Sequence, residues 1–358
     1  MENKTEQDKK VVLSGIRSTG NLHLGNYFGA LNKFVKLQDN YDCRYFIADL
    51  HALTTNPDPQ QLHESVKNIL AEYIAAGLDP EKNIIYVQSD VPEIAEMYLL
   101  LNMHVGIGEL MRTASFKEKA RKALGITSDN DEIEKEIIGN QQNNQRVNAG
   151  LLTYPTLMAV DILIHHADYV PVGKDQEQHL ELTRRFARRF NSFYKTDYFG
   201  EPVNFNFGEG GALKVPGLDG SGKMGKSEGN CIYLIDDEKT LRKKVMRAVT
   251  DEGPKEPNQK PSQPVENLFT LMELVSQPST VQHFRDAYSD CSIRYGDLKK
   301  QLAEDILNVT LPIRQRILDI RDNDEYLSKI VSNGAERARE YASRTLKDVK
   351  EIMGIRKI

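Results

Sequence analysis

Apolar positions over residues 10–200 fall into two rhythms: short continuous runs, and longer stretches in which they recur every third or fourth residue. The first rhythm reads as buried strand and the second as amphipathic helix. VVLSG (11–15), CRYFIAD (43–49), NIIYVQS (83–89) and DYVPVG (168–173) are the strand-like runs. Residues 60–76 keep helical period, follow Pro59 and stop at Gly77, which places proline at the start of a helix and glycine just past its end. A second helix is predicted over 176–190, directly after the fourth run. Strands alternating with helices predict an α/β domain built on a parallel sheet.

Residues 93–150 break this alternation. They are charged and mostly helical in character, with a polar stretch at 140–148, and read as an insertion between two halves of the sheet. A glycine-rich region covers 208–230. After CIYLID (231–236) the pattern turns helical to the end, interrupted by a proline- and lysine-rich loop or linker at 251–264. Residues 298–321 and 325–352 are long helical patterns of alternating charge, as in a helical domain with solvated outer faces. The expected division is therefore 1–230 and 231–358, which suits a length of 358 residues.

Composition narrows the class without changing this picture. Hydrophobic residues at 39% and charged residues at 28% are ordinary for a globular chain with a real core. A net charge of −5 argues against a general nucleic-acid coat and leaves room for a local basic patch. Cys43, Cys231 and Cys291 are widely spaced with no CxxC pair, which fits a reducing compartment and gives neither a disulfide framework nor a zinc site; no protein-held metal is expected. The polar start MENKTEQDKK has no apolar signal core, and no apolar run nears the roughly 20 residues of a membrane span. A cytoplasmic location and no membrane partner are the expectations.

Two glycine-rich segments carry candidate chemistry. SGIRSTGNLHLGNYFGAL (14–31) lies between a strand and a helix, so a nucleotide can approach thin backbone and meet a helix N-terminus. His23 and Asn26, three apart at that helix start, can reach the same phosphates. By itself the segment is equally a glycine-rich turn with a solvated histidine. GSGKMGKSEGN (220–230) holds Lys223 and Lys226 among four glycines, which suits a mobile loop meeting a polyphosphate whose charge shifts during reaction. By itself it is as readily a solvated flexible loop.

Taken together, HLGN and, about two hundred residues later, KMGKS resemble the HIGH and KMSKS signatures of the class I aminoacyl-tRNA synthetases. LLTYPTLMAVDILIHHADYVPVGKDQEQHLELTRRFARRFN (151–191) is similar, nearly word for word, to the corresponding stretch of the bacterial tryptophanyl-tRNA synthetase family, whereas tyrosyl enzymes usually carry a glutamine-containing motif where this chain reads LMAVD. The resemblance implies a Rossmann-like catalytic domain with a helical insertion and an all-α C-terminal region that binds the tRNA anticodon. It implies a homodimer with the insertion, including FKEK (116–119), near the interface. ATP, with Mg²⁺, L-tryptophan and tRNA(Trp) are the implied substrates and partners.

Roles follow residue by residue from that resemblance. His23 and Asn26 would hold ATP phosphates, and Lys223 and Lys226 would stabilise departing pyrophosphate. Arg17, Ser18, Thr19 and Gly25 on the first turn, Gly173, Lys174 and Asp175 after the fourth strand, and Met224, Gly225 and Ser227 in the loop complete the ATP set. Asp161 would accept the indole N–H, with Met158 lining the side-chain pocket and Gln176 holding the ammonium group. An acceptor suits indole because its nitrogen only donates. His51 is either a tryptophan contact or a core-edge histidine, and Tyr154 either a pocket residue or ordinary core. Three positions depart from the family. Arg17 stands where glutamine is usual, Lys174 where an acid is common, and Gly225 in place of the middle serine of KMSKS. The first two add positive charge at the expected nucleotide site. For the C-terminal region, residues 242–244 and 299–300 are basic and could meet phosphates, or simply be solvated faces.

Overall fold

The computed structural model describes residues 9–18, 20–126, 137, 146–173, 176–205 and 214–355. Five parallel strands form one sheet: β1 (Val11–Arg17), β2 (Asp42–Ala48), β3 (Ile84–Val87), β4 (Tyr169–Val170) and β5 (Val203–Asn204), in the order β3-β2-β1-β4-β5. Strands β2 and β3 are nearly continuously buried and β1 is buried over Val12, Leu13 and Ser14, because helices cover both faces. The chain steps outward from β1 to β3 and then returns to the other side of β1 with β4 and β5. The carboxyl ends of β1 and β4 are therefore the point where strand order reverses, the place at which open α/β sheets hold ligands.

All four predicted strands form, with differences in length: the first runs on to Arg17, the third is only Ile84–Val87 because Gln88–Asp90 turn as a 3₁₀ helix, and the fourth is shortest. The fourth is predicted over 168–173 but only Tyr169–Val170 is strand. Pro171 has no N–H to give the ladder, so pairing ends there and Pro171, Val172 and Gly173 turn to line a cavity instead. Asp168 secures the strand's start by accepting from Val11 N at 2.9 Å and from Lys10 Nζ at 2.6 Å. The fifth strand is too short to leave a periodic signal in the sequence.

The helix predicted over 60–76 spans Pro59–Ala75, with Asp58 capping it through Gln61 N. That predicted over 176–190 is Glu177–Tyr194. The segment between β3 and β4 contains the helices Pro92–Asn102, Ile107–Met111 and Ala114–Leu124. Its charged stretch 127–136 and 138–145 lies outside the described residues. The next helix, Ala149–Leu163, begins just inside the expected insertion, where the Asn148 side chain accepts from Leu151 N. The expected linker 251–264 ends two residues early because Gln263–Val275 is already helix, with Pro264 in its first turn. The long helices are Tyr295–Arg321 and Asp324–Ile352. No helix among the described residues is long and apolar enough to cross a membrane.

The last helix crosses back onto the sheet. Gly334 lies against β3 so closely that a Cβ there would sit 1.8 Å from the Ile85 carbonyl oxygen. A backbone oxygen held in a parallel ladder cannot move aside cheaply. Gly334→Ala is expected to lose about 1–3 kcal/mol of unfolding free energy, measured by denaturant titration. An unchanged midpoint would show that the helix slides freely over β3.

Candidate active site

A cavity of about 350 Å³ opens at the carboxyl ends of β1 and β4. Its wall includes Gly15 and Arg17 from β1, His51 after β2, Tyr154, Met158 and Asp161 from the helix Ala149–Leu163, and Gly173 and Gln176 after β4. Tyr154, Met158 and Asp161 are spaced i, i+4, i+7, which puts them on one face of that helix. Gly15 keeps β1 thin here. A Cβ on it would lie 2.5 Å from the Phe46 ring.

Asp161 is 1% exposed at the bottom of this cavity. One carboxylate oxygen takes a hydrogen bond from Gln88 Nε2 at 2.7 Å, and the other lies 2.9 Å from His51 Nε2. Burial raises the pKa of the carboxyl, and the His51 and Gln88 contacts oppose that rise. Each oxygen keeps a second lone pair, so the group is held in place and still able to accept. His51 thus touches both the cavity and Asp161. Gln88, fully buried in the short 3₁₀ turn after β3, was not anticipated. Its only sequence signal is its position at a strand's carboxyl end. Tyr154 is buried, with its hydroxyl 2.6 Å from His179 Nε2 and its ring facing the cavity, so it is a pocket residue as well as core.

The cavity mouth is cationic. Lys119 Nζ lies 3.5 Å from the centre of the Tyr154 ring, and Arg17 is its principal charged neighbour. Burial and then Arg17 push the lysine pKa down to about 8, while burial lowers that of Arg17. Lys119 is a second residue that sequence reasoning did not single out as a site residue, because FKEK reads as an amphipathic surface helix. Two adjacent half-buried cations are unfavourable alone and favourable once an anion joins them.

The glycine-rich turn that carries His23 lies beside this mouth. His23 caps the short helix Leu24–Asn26, with Asn26 Oδ1 accepting from His23 N at 3.1 Å. Gly25 is required here, since a Cβ would come within 2.8 Å of the folded-back His23 ring. Burial, then Lys226 and Lys223, depress the His23 pKa to about 4, so the ring is neutral at physiological pH and able to offer hydrogen bonds without charge. Arg17 Nε, Ser18 Oγ and His23 Nδ1 are buried without a hydrogen-bond partner among the described residues. Three such atoms on one turn are what a polar ligand would satisfy. Thr19, Lys174 and Asp175 lie outside the described residues, as does the Ser227 side chain.

The structure brings the lysine loop onto this turn. Leu24 N donates to Ile232 O at 2.9 Å and Leu234 N to Leu22 O at 3.0 Å, which ties the two segments in antiparallel fashion. Met224 is buried with its Cβ 3.5 Å from where a Gly25 Cβ would lie. Lys226 Nζ donates to Gly20 O at 2.8 Å, and Lys223 is exposed. Asn230, also not anticipated, fixes the base of the loop. Its Oδ1 accepts from Gly225 N at 2.9 Å, while its Nδ2 donates to Asp219 Oδ1 at 2.9 Å, Ser221 Oγ at 3.0 Å and Lys223 O at 3.1 Å. Gly217 leaves room for it; a Cβ would fall 2.0 Å from Asn230 Nδ2.

This geometry can bind an aromatic amine-bearing acid in the cavity and a polyphosphate on the adjoining turn. The profile of the class I tRNA synthetases (W and Y) matches residues 5–310. The chain belongs to that family. Within it, the chain is 59% identical over 347 residues to the tryptophan–tRNA ligase of Porphyromonas gingivalis, covering 97% of this chain and all of that one. It is 39% identical over 343 residues to the tryptophan–tRNA ligase of Fusobacterium nucleatum, covering 96% and 97% of the two chains. The tryptophanyl-tRNA synthetase of Campylobacter jejuni, solved with ADP and tryptophan, superposes with a TM-score of 0.81 at 32% identity over 96% of this chain and 99% of that one. The tryptophan branch of this synthetase family is therefore where the chain lies, as the HLGN, KMGKS and 151–191 segments implied.

Among the basic residues singled out in the synthetase's C-terminal region, Lys243 and Lys300 are exposed, while Arg242 and Lys244 are held by acids. Arg242 is clamped by Glu238 and Glu304, and Lys244 pairs with Asp236 at 2.6 Å. Lys299 reaches Thr250 Oγ1 at 3.4 Å and Lys300 lies 3.8 Å from Asp297.

Proposed function

We infer that the chain is a tryptophan–tRNA ligase. It joins tryptophan to ATP, giving tryptophanyl-adenylate and pyrophosphate, and then esterifies tRNA(Trp). The observation that carries this reading is Asp161, a buried acceptor fixed by His51 and Gln88 at the bottom of a cavity beside two phosphate-binding segments. An amino acid's carboxylate oxygen attacks the α-phosphorus in line while the bond to the β-phosphate oxygen breaks. The terminal ribose hydroxyl of tRNA then takes the acyl group and AMP leaves. Such a reaction needs positioning and charge stabilisation rather than a covalent nucleophile.

In this reading Asp161 receives the indole N–H, Met158 and Tyr154 wall the ring, and Gln176 holds the ammonium. His51 contacts the substrate and orients Asp161, while Gln88 acts through Asp161. Asn26 and neutral His23 hold phosphate oxygens, with Ser18, Thr19, Gly25, Gly173, Lys174 and Asp175 around the nucleotide. Lys223 and Lys226 meet the leaving pyrophosphate, with Met224, Gly225 and Ser227 shaping the loop. Among the described residues no three His, Cys, Asp or Glu side chains converge as a metal cage. Mg²⁺ fits as an ion carried on the phosphates, where it supplies charge neutralisation. Arg17 and Lys119 attract the α-phosphate or the substrate carboxylate. Arg17→Ala is expected to raise the KM for ATP or tryptophan about tenfold in pyrophosphate exchange. Unchanged dependence on both substrates would remove Arg17 from the site.

Two partners complete the proposal. Leu99, Met103 and Ile107 are 57%, 69% and 66% exposed on neighbouring helices of the inserted segment, an apolar face suited to a second copy in a homodimer. The region 231–358 would read the tRNA, and the enzyme would work in the cytoplasm. Pyrophosphate exchange with tryptophan, with tyrosine and with no amino acid tests the reaction, and only tryptophan should support it. Because the chain contains no tryptophan, bound substrate is the sole indole and its emission should change saturably on titration. Exchange driven equally by tyrosine would overturn the assignment.

A further inference from the structure

Glu72 sits 1% exposed in the last turn of the helix Pro59–Ala75, below the nucleotide turn. Its Oε2 accepts from Leu22 N at 2.8 Å, and its Oε1 is buried with no hydrogen-bond partner among the described residues. Two residues before Leu22, the carbonyl of Gly20 receives Lys226 Nζ at 2.8 Å. A buried carboxylate and a loop ammonium therefore converge on the same three-residue turn. A carboxylate in a helix's last turn also meets the negative end of the helix dipole, so packing alone gives no reason for an acid here.

We propose that Glu72 is a positioning residue which, when ionised, holds Lys226 on the Gly20–Leu22 turn against the pull of ATP, so that its charge sets how readily the loop engages the nucleotide. This rests on the reading of Lys226 as a phosphate-binding lysine. Burial raises the Glu72 carboxyl to about 8, against the pull of the Leu22 N–H and Lys226. Glu72 in turn holds the Lys226 pKa up against burial, which lowers it. When Lys226 leaves for the phosphates, Glu72 loses its counter-charge and binds its proton more tightly. ATP binding is thus favoured with Glu72 neutral and opposed once it ionises. As pH rises through about 8, the KM for ATP should climb.

The other groups facing this pair do not imitate that trend. His23 on the turn titrates at about 4, and Cys231 behind the loop at about 11, so neither changes charge between roughly pH 6.5 and 9. Lys119 across the site titrates at about 8, and its contribution is common to the wild-type enzyme and a Glu72 variant. Removing the Glu72 charge only moves the loss of the Lys226 proton to lower pH, which works in the opposite direction.

The test is Glu72→Gln, which keeps an acceptor for Leu22 N and removes the charge. The wild-type KM for ATP in pyrophosphate exchange, divided by that of Glu72→Gln, should rise about three- to tenfold from pH 6.5 to 9, since one unit of pKa difference sets a tenfold limit. The KM for tryptophan should not follow it. A ratio that stays flat or falls overturns the proposal, as does an equal change in both KM values, which is the mark of a merely structural acid. Should the Gln variant not fold, Glu72→Leu suits the apolar surroundings and should give the same rising ratio. Lys226→Met separates the two layers. An ATP KM and a kcat both unchanged there refute the lysine's role, whereas a change in either with a flat Glu72 ratio refutes only Glu72.

Discussion

Replacing Asp161 by alanine should lower kcat/KM for tryptophan in pyrophosphate exchange by roughly 10²–10³-fold. The loss has two sources. The indole N–H gives up an acceptor worth about 1.5–3 kcal/mol in a buried site. His51 Nε2 and Gln88 Nε2, at 2.9 and 2.7 Å from the carboxylate, also lose the oxygen they point at. Asp161→Asn should cost less because one oxygen remains, although its amide N–H then meets a donor on one side. The ATP dependence should change little in either variant, since the carboxylate's partners are His51 and Gln88 rather than residues of the turn that carries His23. A loss below tenfold in a folded Asp161→Ala enzyme, verified by thermal unfolding, would mean that ring packing alone selects the substrate.

Lys226→Ala should lower kcat for activation by about 10²–10³-fold while the tryptophan Kd moves by less than about twofold. The ammonium is held at 2.8 Å from Gly20 O, next to the turn that carries His23, and Lys226 is not one of the residues that line the cavity around Asp161. It can therefore act on the polyphosphate as charge shifts to the leaving group, which is a transition-state effect. Lys223, exposed and held through its backbone carbonyl by Asn230 and Ser221, should show the same pattern at smaller amplitude. Rapid-quench measurement of adenylate formation together with fluorescence titration of tryptophan checks both. Equal losses in rate and in tryptophan affinity would place the lysine in substrate binding or in loop folding instead.

The elements of the sheet and the meeting of the two glycine-rich segments differ in legibility: strands and turns signal locally, whereas the structure alone brings 220–230 onto the His23 turn. A buried strand needs consecutive apolar residues, and a turn that admits phosphates needs glycines beside a helix start. Pro171 shows the limit of that reading, since one missing N–H shortened a strand whose apolar run continues to Val172. Asp161, Met158 and Tyr154 were legible through the likeness of 151–191 to a known family, and the helix that presents them together agrees. Gln88, Lys119, Asn230 and Glu72 were not. Gln88, Lys119 and Glu72 are ordinary polar residues in their own segments and meet their partners far along the chain, whereas Asn230 closes its own loop through Asp219, Ser221, Lys223 and Gly225.

The sequence by itself determined which segments become strands and helices, where the glycines keep the backbone thin, and which family the chain resembles. Those follow from periodicity, side-chain size and short motifs. The tertiary structure decided what surrounds each charged group. His51 meets Asp161 across 110 positions of sequence and Lys226 meets Gly20 across 206. Burial at such meetings makes His23 neutral, lowers the Lys119 pKa and raises that of Glu72. Desolvation depends on everything packed around a group, and no local pattern in the chain records it.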